Sequence, residues 1–88
     1  FAKVLNKYHK TKILINGYTD NTGVFEANKE LSQKRAENAL QKLIDNKVKN
    51  TRLFAWGHAS NNPIADNNTE EGKKRNRRVE FIVVYDYD

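Results

Sequence analysis

Ile13-Leu14-Ile15-Asn16-Gly17-Tyr18-Thr19-Asp20-Asn21-Thr22-Gly23, followed shortly by Leu31-Ser32-Gln33-Lys34-Arg35-Ala36, is the stretch from which the rest of the chain can be read. Ile13 to Ile15 is an aliphatic run too short for a helix and bounded by polar turn residues, so it reads as a buried strand ending near Gly17. Thr19, Asp20, Asn21 and Thr22 carry short side chains that bond back to nearby amides, which predicts a rigid loop. Ala36, Ala39, Leu40, Leu43 and Ile44 then recur at the spacing of one helix face, with Glu30, Lys34, Glu37, Gln41 and Asp45 opposite. That apolar stripe packs the helix on the sheet. Arg35 lies about 40° from Ala39 at ~100° per residue, at the border of the stripe, with Leu31 one turn earlier on the same side. The strand-loop-helix unit therefore carries Asp20 and Arg35, 15 positions apart, to one rim. By spacing alone, such a pair more often serves as a salt bridge or a turn cap than as a ligand site.

Working outward, 88 residues accommodate one domain spanning 1–88, with a modest core. Four Phe, four Tyr and one Trp supply bulk to bury and set the chain apart from disordered sequences. The absence of cysteine excludes disulfides and thiolate metal sites. No apolar run approaches the roughly 20 residues of a membrane-spanning helix. A net charge of +5 favours anionic partners: nucleic acid, acidic lipid or a carboxylate-bearing wall polymer. The chain starts with Phe and carries no leader pattern, so it reads as an excised fragment.

Before the central stretch, Phe1, Val4, Leu5 and Tyr8 share one face of a helix end, and His9 reads as a solvated residue close to that helix's C-terminus. After it, Asn46 to Asn50 is a polar loop and Arg52 to Trp56 a second strand, parallel to the first because a helix connects them. Gly57 to Asn68 has no helical period and reads as an ordered connection. His58 has no partner ligand in sequence, which gives it a loop role and leaves no metal site and no cofactor to propose. Thr69 to Arg75 places acids ahead of bases, the charge order of a short helix or turn. Arg77 to Tyr87 is a last strand in which Glu80 requires a partner, Arg77 or Arg78.

Asn16 to Gly23, then Asn28, Leu31-Ser32 and Arg35-Ala36, then Gly57 and Pro63-Ile64-Ala65, and finally Asn76-Arg77-Arg78-Val79-Glu80-Phe81 resemble, in order, the blocks of the OmpA-like peptidoglycan-binding domain. Three positions depart from its pattern. Tyr18 stands where the family has His, Ala59 replaces the second glycine of a Gly-x-Gly turn, and Lys73 replaces an arginine. The resemblance implies an α/β (α+β) fold, a βαβαβ-type two-layer sandwich with a mixed sheet packed on one side by helices. Its N-terminal strand is expected to be missing from this fragment.

The resemblance further implies non-catalytic binding of peptidoglycan through the meso-diaminopimelate of the stem peptide. Asp20 would hold the ammonium and Arg35 the carboxylate, with Thr19, Asn21, Thr22, Asn28 and Leu31 shaping the pocket and Asn76 and Arg78 as secondary contacts. It implies a periplasmic module, attached to the outer membrane only through the rest of its parent protein. Two other classes compete with this reading. Lys73-Lys74-Arg75-Asn76-Arg77-Arg78 could contact phosphates, but no zinc spacing, helix-turn-helix or aromatic RNA-binding motif accompanies it, so no nucleic acid is expected. No nucleophile, triad, phosphate loop or second acid paired with Asp20 points to an enzyme.

Overall fold

The computed structural model describes residues 11–84. The helix end expected at Phe1 to Tyr8, His9 and the strand end beyond Val84 lie outside the described residues. Within them the chain runs β1 (Lys12–Gly17), α1 (Phe25–Asp45), a 3-10 turn (Asn50–Arg52), β2 (Leu53–Gly57), α2 (Glu70–Asn76) and β3 (Val79–Val84). The sheet has the order β2-β1-β3, with β2 parallel and β3 antiparallel to β1. This is the α+β fold with a mixed sheet expected from the sequence.

Alternation along β1 decides which face is buried. Ile13 and Ile15 are fully buried, and their cross-strand partners Leu53, Ala55, Val83 and Phe81 share their face. Against that face α1 lays Ala36, Ala39, Leu40, Leu43 and Ile44, the predicted stripe, and Val48 closes the cluster. Both parallel strands end in glycine where the helix comes closest. A Cβ on Gly17 would stand 2.2 Å from the Ser32 carbonyl oxygen, and one on Gly57 would stand 2.3 Å from the Gln33 nitrogen. The glycines let backbone meet backbone, which sets α1 at Ser32 and Gln33 directly over the strand ends.

α1 stops in a Schellman turn. The Val48 amide donates to the Leu43 carbonyl at 3.0 Å and the Lys47 amide to that of Ile44 at 2.9 Å, with Lys47 at φ 75°. Two expected boundaries move. Arg52 precedes β2 rather than opening it, because its buried guanidinium donates through Nε to the Thr11 carbonyl at 2.8 Å. Arg77 precedes β3, because its amide closes α2 on the Lys73 carbonyl at 3.1 Å.

Candidate functional site

The loop that follows β1 is pinned to both of its neighbours. The Tyr18 amide donates to the Arg78 carbonyl and the Thr19 amide to the Ala59 carbonyl, both at 2.8 Å. Ala59, standing where the resemblance expects glycine, takes the left-handed backbone that glycine would favour, φ 54°. Its own amide donates to the Ser32 Oγ at 2.9 Å, and that hydroxyl donates to the Lys29 carbonyl at 2.8 Å. Ser32 is fully buried, so this one side chain ties α1 to the β2–α2 connection. At the far end the Asn28 amide group donates to the Thr22 carbonyl at 2.9 Å. The loop is therefore ordered by hydrogen bonds rather than by packing, as its composition predicted.

Within the loop Asp20 is only 8% exposed. Its Oδ1 accepts the Thr22 amide at 2.9 Å, and its Oδ2 accepts Nη1 of Arg77 at 2.6 Å. The Thr22 amide and the Arg77 guanidinium together hold its carboxyl below the ordinary value, against the opposing effect of burial. A carboxylate offers about four acceptor positions, and the Thr22 amide, the Thr22 side chain and Arg77 occupy at most three of them, which leaves capacity for another donor.

Arg35 is half-buried and lines a groove of about 600 Å³ between α1 and β3, with Asn38, Ala39, Lys42, Leu43, Val79 and Phe81. Among the described residues it has no hydrogen-bond or ion-pair partner. Asp20 does not line this groove. The start of β3 links the two regions in sequence: Val79, in the groove, lies two positions beyond Arg77. Asn21, Thr22 and Leu31 are exposed around the loop and the first turns of α1.

Two expected contacts turn out to be supports. Asn76 is fully buried; its Oδ1 accepts the Ile64 and Ala65 amides, and its Nδ2 donates to the Ala65 carbonyl and to Asn67 Oδ1. With all its bonding positions used, it braces the 61–68 segment and does not reach a ligand. Arg78 pairs with Glu80, donates to the Asn76 and Asn62 carbonyls, and lies 3.8 Å from the Tyr18 ring centroid. Tyr18 in turn stacks on His58 at 5.1 Å, and His58 Nε2 bonds Asn16 Oδ1 at 2.8 Å. The basic run from Lys73 to Arg78 is thus divided: Arg77 neutralises Asp20, Arg78 neutralises Glu80, and Lys73 lies 3.9 Å from Glu70.

Arg77 was the residue that the sequence reading missed. In sequence it belongs to the basic run and is a candidate partner for Glu80, and nothing in the spacing links it to Asp20, 57 positions away. Its place in the Asn76-Arg77-Arg78 block was the available signal. Among the described residues no group of His, Asp and Glu is arranged to hold a metal ion.

A model of the OmpA family matches residues 1–77. The chain is similar to the probable lipoprotein YiaD of Escherichia coli, 47% identical over 82 residues that cover 93% of this chain and 37% of that protein. It is also similar to the peptidoglycan-binding protein ArfA of Mycobacterium tuberculosis, 44% identical over 72 residues covering 82% of this chain and 22% of that one. The crystal structure of the peptidoglycan-associated lipoprotein from Burkholderia pseudomallei superimposes with a TM-score of 0.91 at 31% identity, covering 94% of this chain and 70% of that one. The chain thus spans less than half the length of these two curated relatives.

Proposed function

The chain belongs to the OmpA family, and from that premise we propose that it binds peptidoglycan without catalysis, through the meso-diaminopimelate of the stem peptide. That residue ends in a carbon bearing both an ammonium and a carboxylate, so it needs an acceptor and a donor fork side by side. The observation that carries the reading is the state of Asp20: nearly buried, held ionised, and with acceptor capacity left over.

In this reading the ligand ammonium takes the free positions on Asp20. The carboxylate is received by Arg35, whose guanidinium has no partner among the described residues, while Arg77 fixes the Asp20 Oδ2 and adds positive charge. Thr19, Asn21, Thr22 and Asn28 hold the loop, and Leu31 gives an apolar side to the ligand's methylene chain. The relatives' names support the reading, since ArfA is described as peptidoglycan-binding and the Burkholderia protein as peptidoglycan-associated. A periplasmic position, with the parent protein held at the outer membrane, accords with relatives named as a lipoprotein and as outer membrane porins.

Co-sedimentation with purified diaminopimelate-type sacculi tests it. Wild-type protein pellets with the wall, and Asp20→Ala and Arg35→Ala each weaken binding by about tenfold or more, as expected for one charge-assisted bond. Undiminished pelleting of both variants, with unchanged circular dichroism, refutes the assignment.

A further inference from the structure

The face of the sheet away from α1 carries an aromatic strip that the stem-peptide site does not use. On this face the paired rows are Phe54–Leu14–Ile82 and Trp56–Asn16–Glu80, with Val84 opposite Lys12 below them. Phe54 is 46% and Trp56 62% exposed, and Ile82 and Val84 are also open. Exposed large side chains grouped on one face mark an interaction surface. Phe54 and Trp56 sit two apart on an edge strand, so their rings stand about 7 Å from each other along it. Beside Trp56 the row turns polar, with Asn16 bonded to His58 and Glu80 bonded to Arg78.

From this arrangement we infer that the open face is a sugar-stacking platform, on which Phe54 and Trp56 hold the glycan strand whose stem peptide binds at Asp20. The inference rests on the stem-peptide reading above. Chemistry and distance both favour this occupant. A pyranose ring has an apolar C–H face and an edge of hydroxyls, matching aromatic rings bordered by the partly exposed His58 imidazole and Glu80 carboxylate. A short peptide joins the diaminopimelate to the sugar, and at ~3.5 Å per extended residue the glycan passes within about 10–15 Å of the diaminopimelate. Trp56 pairs with Asn16, four residues before Asp20, which places it at most about 13 Å along the chain plus one strand spacing of ~4.8 Å from that loop. Between strip and loop lie the Asn16–His58 hydrogen bond and the stack of His58 and Arg78 on the buried Tyr18, which fix the two relative to each other. A second copy of the chain fits less well. Each copy carries +5, and these few half-exposed side chains fall far short of the ~800 Å² per partner of a stable interface.

Trp56 is the only tryptophan, so its fluorescence reports on the platform directly. A peptide-free tetramer of N-acetylglucosamine should shift or quench the emission saturably. Trp56→Ala and Phe54→Ala should each weaken sacculus binding about three- to tenfold, Trp56→Phe should restore most of it, and affinity for free meso-diaminopimelate should stay at the wild-type value in all three. Because both rings are largely exposed, these variants keep the fold, which circular dichroism checks. Emission unmoved by the tetramer, together with unchanged sacculus binding by Trp56→Ala, overturns the platform. Concentration-dependent dimers, or binding to anionic vesicles, lost in Trp56→Ala also overturn it, since they assign the face to another occupant. Failure of diaminopimelate to bind wild-type protein while the tetramer still binds refutes the stem-peptide reading and leaves the platform standing.

Discussion

Ser32 and Asp20 show how single polar side chains carry this site. Ser32 gives its hydroxyl to one carbonyl and accepts the Ala59 amide, all out of water. Ser32→Ala strands that amide, which predicts a loss of about 1–3 kcal/mol in urea denaturation. Asp20 predicts a pH dependence. Its carboxyl titrates below its ordinary value in the folded chain, so the unfolded chain takes up the proton first as pH falls. The stabilisation from Asp20 is therefore complete above about pH 5, and decays as pH falls from about 4 through the depressed value. In Asp20→Asn that acid-side decline should flatten, as followed by thermal melts at successive pH values. The sequence disclosed Asp20 as a loop acid because turn residues surround it. It did not disclose Ser32, Asn76 or Arg77, because buried polar partners are chosen by the three-dimensional approach of segments and leave no periodic trace.

The elements were more legible, because each follows from local patterning. The short aliphatic run from Ile13 to Ile15 and the stripe from Ala36 to Ile44 located β1 and α1, and the charge order after Thr69 located α2. Their ends were shifted by one or two residues where side chains or caps intervene, as at Arg52 and Arg77. Those caps yield further tests. Thr69 accepts the Gly72 amide on Oγ1 at 2.9 Å as the N-cap of α2, so Thr69→Ala should cost about 1 kcal/mol. Lys47 is exposed and holds φ 75° just past the end of α1. There Lys47→Gly should stabilise by about 0.5–1 kcal/mol, because relief of the left-handed backbone outweighs the extra freedom gained by the unfolded chain. Equal midpoints for wild type and Lys47→Gly in denaturant would contradict that account of the turn.

Taken together, the molecule is a sheet with one face buried by a long helix and the other open. At one end of the sheet, a hydrogen-bonded loop holds an ionised acid against Arg77. The antiparallel return of β3 brings Arg77 to Asp20 at this end, which is why resemblance located the acid while topology was needed to add Arg77. The most direct test of the stem-peptide claim is an NMR titration of the wild-type domain with meso-diaminopimelate set against lysine, which lacks the second carboxylate. The account predicts saturable shifts at the Asp20 and Thr22 amides and the Arg35 side chain with diaminopimelate, and at least about tenfold weaker binding of lysine. Equal affinity for the two ligands, or shifts that leave Asp20 and Arg35 unmoved, would contradict it.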